Sequence, residues 1–291
     1  MYLWLTDPND DEPPRLLDDA GYPLQAASVR GVVGSPDKQR AGVYGTAQQT
    51  ASFLTNSRAT QWVTPPAAGT PAEFRPEEFA RGTGTLYSLS KEGRGNTAPL
   101  VTALTVAVCE AAEEYAATQP GGRLAVPMVT VLDEAANVCR WTELPNLYSH
   151  YGSRGIAILT FLQSWSQGVE VWGRDGMRKL WSAATVKVYG GGVSEVEFLD
   201  ELSRLIGDYQ RPEASITHSR GNGRSTSHSQ RSERILDVAD LAGLDRGRVV
   251  VFAAGSLPTL ATPQPWWEGP HKTAVQASID AHDAAASGDR P

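Results

Sequence analysis

The chain has few cysteines for its size: 2 in 291 residues, Cys109 and Cys139, neither in a C-x-x-C pair. That excludes a disulfide scaffold and argues against a zinc site. No run of residues approaches the roughly 18 apolar positions of a membrane helix. The acidic N-terminal stretch MYLWLTDPNDDEPP has no signal-peptide pattern. These features predict a soluble chain in a reducing, cytoplasmic setting. The net charge of -7 excludes a generally basic nucleic-acid binder, so any DNA contact must come from a local patch. There is no internal repeat, and no Ser–His–Asp or Cys–His arrangement at usable spacing. Nor is there a single Gly-Lys dipeptide. The phosphate-binding loop G-x-x-x-x-G-K-[ST], whose backbone amides cradle a triphosphate and whose lysine neutralises it, is therefore not encoded. GVVGSPDK (Gly31–Lys38) has glycines and lysine at the wrong spacing and no hydroxyl residue after the lysine, and KEGRGNT (Lys91–Thr97) fails as well.

What is present is an ordinary globular composition, 41% hydrophobic and 20% charged, in a chain long enough for a sizeable core. Residues 1–40 read as irregular, with turn-rich patches at Asp7–Pro14 and Gly31–Asp37. A helix is expected over Arg40–Asn56, then a proline-rich connection. Strands are expected at Gly84–Ser90, Ala125–Leu132, Ile156–Leu162, Thr185–Tyr189 and Arg248–Ala253. Helices are expected at Thr97–Ala116 (with Pro99 in the first turn), Glu143–Tyr151, Arg174–Ala183 and Ser194–Ile206. The last begins with a capping box, Ser194 and Glu197. Apolar strands separated by helices predict an α/β fold: a parallel sheet covered on both faces. Trp165, Trp172 and Trp181 read as core or interface, and Trp266 and Trp267 as anchors of the final segment.

The chemistry concentrates in VTVLDEAANV (Val129–Val138). Four apolar or β-branched residues run straight into Asp133 and Glu134. Carboxylates at the carboxyl end of a buried parallel strand lie where ligands bind in open sheets. Asp133 suits magnesium held through water, and Glu134 suits proton abstraction from an attacking water. An acidic pair at a strand end is also a common structural feature. FLQSWSQ, with Gln163, Ser164 and Gln167, follows the next apolar strand. If the two strands are neighbours, Gln163 lies beside the acids, ready to donate to a γ-phosphate and accept from water. The alternative is a plain helix start. Arg154, just before that strand, falls at the opposite edge of the sheet. It is either a surface arginine or an arginine offered to a neighbouring subunit. The polar loop Gln210–Arg234 carries Arg220, Arg224 and Arg231 among its arginines and could track a DNA backbone. It lacks Phe and Trp and, over SITHSRGNGRSTSHSQRS, any Tyr. Base stacking is therefore disfavoured, and a solvated loop is the simpler reading.

Taken in order, VTVLDEAANV, SRGIAILTFLQSWSQ, WGRDGMRKLWSAATVKVYGGG and FLDELSRLIGD resemble the TraG/TraD-like coupling proteins of conjugative type IV secretion, in their carboxyl-terminal TraM-recognition region. The resemblance runs from about Thr83 to Trp267. It implies a RecA-like motor, normally a hexameric ring at the inner face of the cell membrane. Such a motor moves single-stranded DNA and its relaxase into the secretion channel. By position, Asp133 and Glu134 match the Walker B acids, Gln163 the γ-phosphate-sensing glutamine, and Arg154 the arginine given to a neighbour. On this reading residues 1–82 are a remnant of the inserted helical domain, 83–270 the carboxyl-terminal part of the motor and 271–291 a flexible tail. The phosphate-binding loop and the membrane helices would belong upstream. ATP and magnesium would bind only if a phosphate-binding loop is supplied from elsewhere, so the chain alone should not hydrolyse ATP. Two other readings are an FtsK-like DNA translocase fragment and a non-catalytic adaptor binding relaxosome or channel proteins.

Overall fold

The computed structural model of the chain describes residues 2–60, 62–64, 73–89, 97–219 and 223–282, with Arg58, 212–219 and 223–230 described by backbone alone. The chain divides into two compact units, Met1–Ala183 and Ala184–Pro291. That division falls within the stretch assigned by resemblance to one motor piece, so compactness and the proposed functional boundaries at 82/83 and 270/271 are different partitions.

The first unit opens with helices α1 (Tyr2–Thr6), α2 (Glu12–Asp19), α3 (Pro23–Val33), α4 (Asp37–Thr50), α5 (Ser57–Thr60) and α6 (Pro76–Arg81). The irregular reading of residues 1–40 is corrected here. Prolines punctuate that region, but they stand in the first turns of α2 and α3, where the absent N–H is one a helix leaves unpaired anyway. Residues 83–89 are not a strand. They have the alternating composition, but no described strand pairs with them, and Ser90 of the expected strand lies outside the described residues.

Helix α7 (Ala98–Ala117) carries Pro99 in its first turn, as expected. Its buried face is made of small residues, among them Cys109, Ala112 and Ala116, which let the next layer approach closely. That layer holds β1 (Met128–Leu132), α8 (Ala135–Val138), α9 (Leu144–Arg154), β2 (Ile156–Thr160) and α10 (Trp165–Ala183). Leu132, Trp141, Leu144, Tyr151, Ile156, Met177 and Leu180 fill the space between, with Trp165 and Trp172 packed against them. The Trp141 and Tyr151 rings lie 5.6 Å apart, and the Trp172 indole N–H donates to the Trp141 carbonyl at 2.8 Å. The Tyr148 hydroxyl donates to the Ile158 carbonyl at 2.7 Å and pins α9 along β2. Helix α10 is longer than expected and kinks at Gly173, whose φ of 69° and ψ of 171° suit glycine alone.

Strands β1 and β2 pair in parallel, from Met128↔Ile156 to Leu132↔Thr160. Met128, Leu132, Ile156 and Ile158 point to the core. The other face is open: Val129 is 62% exposed, Val131 58%, Leu159 42% and Phe161 51%. The expectation of a sheet covered on both faces fails for this pair.

In the second unit β3 (Val186–Tyr189) pairs antiparallel with β6 (Val249–Ala253), which pairs antiparallel with β7 (Thr259–Ala261). Their apolar character suggested parallel strands, but apolar runs do not encode direction, and the parallel reading is corrected here. Helix α11 (Val196–Ile206) buries Leu199, Leu202 and Ser203. The Ser194 capping box does not form: the helix starts later, at a Glu195 cap position with no side-chain cap bond. A capping box forms instead at α12 (Val238–Ala242), between Asp237 and Asp240. The polar loop is a hairpin of β4 (Asp208–Ser219) and β5 (Gly223–Arg234), in register from Asp208↔Arg234 to Ser219↔Gly223. Its base is held by charge: Arg234 meets Asp208 at 3.4 Å and Asp200 of α11 at 3.9 Å. The Tyr209 hydroxyl donates to Glu233 at 2.8 Å. Helix α13 (Lys272–His282) follows. Among the described residues no helix is long and apolar enough to cross a membrane.

The two faces of the strand pair should respond differently to truncation. Ile156→Ala removes a fully buried side chain and should cost about 2–5 kcal/mol in urea denaturation. Val131→Ala, on the open face, should stay within about 0.5 kcal/mol. Equal losses would contradict the assignment of the buried face.

Candidate active site

Strand β1 ends at Leu132, and the chain must turn at once to start α8. Glu134 makes that turn in the left-handed region, at φ 48° and ψ 48°, the one non-glycine residue with positive φ among the described residues. Such a conformation costs a non-glycine residue about 1–3 kcal/mol and persists only where its surroundings enforce it. The surroundings are visible. The Phe161 N–H donates to the Leu132 carbonyl at 3.0 Å, and the Ala135 N–H donates to the Phe161 carbonyl at 3.1 Å. These two bonds carry the strand pairing past the ends of both strands. The Asn137 and Val138 N–H groups donate to the Glu134 carbonyl at 2.8 and 3.1 Å.

This pairing brings Gln163 to Glu134. The Gln163 amide Nε2 donates to Glu134 Oε1 at 2.6 Å. An ionised carboxylate offers only acceptors, and charge makes the bond short. The other carboxylate oxygen, Oε2, accepts a longer bond from Asn137 Nδ2 at 3.4 Å. Gln167 closes the group: its Oε1 accepts the Gln163 main-chain N–H at 3.1 Å, and its Nε2 donates to Gln163 Oε1 at 3.4 Å. The Ser164 hydroxyl in turn accepts the Gln167 N–H at 3.2 Å. Asp133 stands exposed beside Glu134, which is half-buried.

The donor set limits what metal could be held. Among the described residues no group of three or more His, Cys, Asp or Glu could hold an ion. One carboxylate, Asp133, fits magnesium, which keeps several waters and takes its remaining ligands from phosphate oxygens.

Arg154 is not part of this group. It ends α9 at the opposite, amino-terminal edge of β2. Its Nη1 donates to the Gly122 carbonyl at 3.0 Å, and its buried Nε has no hydrogen-bond partner among the described residues. The guanidinium lines a cleft of about 520 Å³ with Ala117 and the acidic side chains of Glu110, Glu113 and Glu114. Arg231 is exposed on β5, in register with Arg211. Arg224 is in register with His218, and Arg220 lies outside the described residues. Asn137 is the residue that sequence reasoning missed. Its position three residues after Glu134, on the same helical face, is the signal that could have found it.

Residues 127–246 match the family model described as the TraM recognition site of TraD and TraG. No curated protein matches the chain. Similar solved structures are those of the bacterial conjugative coupling protein TrwB. Its unbound monoclinic ΔN70 form superposes with a TM-score of 0.53 at 15% identity, over 86% of this chain and 60% of that one. A trigonal ΔN70 form with sulphate gives 0.55 at 15% identity, over 90% and 61%. The complex with ADP and Mg2+ gives 0.52 at 15% identity, over 90% and 61%. At that identity the likeness shows the fold, and the chain spans about 60% of the length of those structures.

The left-handed turn at Glu134 is testable by stability alone. Glu134→Gly should be more stable than Glu134→Ala by about 1 kcal/mol, since only glycine adopts positive φ without a Cβ penalty. Equal urea midpoints for the two variants would rule the strain out.

Proposed function

We propose that this chain is the carboxyl-terminal portion of a conjugative coupling ATPase, recruiting substrate and moving DNA, single-stranded on this reading, toward a type IV secretion channel. The observation that carries the reading is the 2.6 Å contact between Gln163 and Glu134 at the carboxyl ends of two parallel strands, inside the segment that matches the TraM recognition region. TrwB has been solved with a non-hydrolysable ATP analogue and with ADP and Mg2+, which supports a nucleotide site of this kind.

Each residue has a role that its placement allows. ATP with magnesium, when bound, supplies a γ-phosphoryl group activated toward water. Asp133 would hold the magnesium through water. Glu134 accepts a proton from the attacking water, and its carboxylate is already aligned by two amide donors. Gln163 has a second amide hydrogen with which to bind a phosphate oxygen. The phosphate cradle is the part this chain lacks, since no Gly-Lys dipeptide occurs in it. We assign that part to further polypeptide that also covers the open apolar face of Val129, Val131, Leu159 and Phe161. In the assembled ring, at the inner face of the membrane, Arg154 would leave the Gly122 carbonyl and reach a neighbour's site. The hairpin arginines Arg220, Arg224 and Arg231 would follow the DNA backbone. The absent cradle also favours a second reading, a non-catalytic adaptor for relaxosome or channel proteins.

The purified chain should show no ATP turnover above background. Addition of a polypeptide carrying the phosphate-binding loop and its strand should restore turnover, and Glu134→Gln should abolish it. Turnover by the chain alone, lost in Glu134→Gln, would overturn the half-site; no turnover in any combination would favour the adaptor. For the polar segment, Arg220→Ala with Arg224→Ala should lower the salt-dependence slope of single-stranded DNA binding by about 0.7 unit per arginine. An unchanged slope in fluorescence anisotropy would mean a solvated hairpin.

A further inference from the structure

Gln163 is exposed, and an exposed amide can turn either end toward its neighbour. Whether its nitrogen or its oxygen faces Glu134 decides whether the pair attracts or repels. The hydrogen bonds around it settle the polarity from one fixed point. The main-chain N–H of Gln163 can only donate, and it donates to Gln167 Oε1 at 3.1 Å. That commits the oxygen end of the Gln167 amide. The nitrogen end must then face Gln163, and Gln167 Nε2 donates to Gln163 Oε1 at 3.4 Å. With its oxygen engaged, Gln163 turns its own Nε2 to Glu134 Oε1 at 2.6 Å. The polarity thus runs one way, from a backbone donor through two amides to a carboxylate.

Gln167 is suited to anchor such a chain. It is half-buried, one helical turn beyond Gln163, in the first turn of α10. Its own N–H is held by the Ser164 hydroxyl at 3.2 Å. We infer that Gln167 is a positioning residue that locks Gln163 as a donor, so that one amide nitrogen serves two anions. One hydrogen holds the Glu134 carboxylate, and the other is left for a phosphate oxygen. The phosphate half of this role rests on the ATPase reading above; the locking of the amide does not.

The test is nuclear magnetic resonance of the purified chain, following the Gln163 side-chain NH2 pair, assigned by its loss in Gln163→Met. In the unaltered chain the hydrogen facing Glu134 should be displaced downfield, and Glu134→Ala should remove that displacement. Gln167→Met removes both ends of the anchor and should abolish most of the Glu134-dependent displacement. Gln167→Glu retains an acceptor for the Gln163 N–H, so the turn keeps its backbone bond, but it has no hydrogen to give Gln163 Oε1. It should draw Gln163 Nε2 to itself, so that any displacement left no longer depends on Glu134. A Glu134-dependent displacement retained in Gln167→Met would overturn the inference. So would one lost in Gln167→Met yet retained in Gln167→Glu, because Gln167 would then only cap the backbone. No nucleotide is used. A chain that never joins an ATPase can still show the locked amide, and one that does can lack it.

Discussion

The candidate site depends on the parallel register of β1 with β2. Leu132 lies opposite Thr160, and two further main-chain bonds carry the pairing through Phe161 into Ala135. A slip of β2 by one residue would turn that strand's faces over. It would put Leu159 against the core and turn Ile158 to solvent. The same slip would move Gln163 away from Glu134. Packing and chemistry are therefore fixed by one register, and the core beneath enforces it. The small residues of α7 admit Leu132 and Ile156, and the Tyr148 hydroxyl holds β2 by the Ile158 carbonyl.

The left-handed backbone of Glu134 follows from the same constraint. Strand β1 ends at Leu132, and α8 begins at Ala135, which is buried in the same core, with Ala136 buried beside it. Two residues are left to reverse the chain. A glycine would make the turn at lower cost, but it would carry no carboxylate. On the proposed ATPase reading, an acid held in a strained turn, with both oxygens met by amide donors, is aligned for proton transfer. This strain is the local disagreement with backbone preference that functional positions show.

The neighbourhood of Glu134 and Gln163 was legible because it rests on short-range rules: apolar strand, polar terminus, next strand beside it. Helices α7 and α9 were legible from spacing and from Pro99. What the sequence could not convey was pairing direction. TVKVY and RVVVFA read alike in either sense, and β3 with β6 proved antiparallel. The amino-terminal helices are hidden in the sequence because their prolines read as breakers but stand in the first turns of α2 and α3. Asn137 and the polarity of the Gln163–Gln167 pair depend on side-chain geometry across one turn, which residue types suggest only once the turn is known.

On the proposed reading, the open face of the strand pair and the absence of a Gly-Lys dipeptide have one physical explanation. In a layered α/β fold, parallel strands of Val, Ile and Leu are buried on both sides. Here Val129, Val131, Leu159 and Phe161 are apolar and exposed together, on the strands whose ends carry the acids and the glutamine. A patch of that composition is far more stable under another layer than in water. In proteins built on this fold the phosphate-binding loop joins a strand of such a sheet to a helix that packs on it. The element that would supply the cradle is thus of the same kind as the layer that would cover the patch. If one polypeptide does both, binding energy from the apolar face would place its loop beside Asp133 and Glu134, and completing the fold would complete the site.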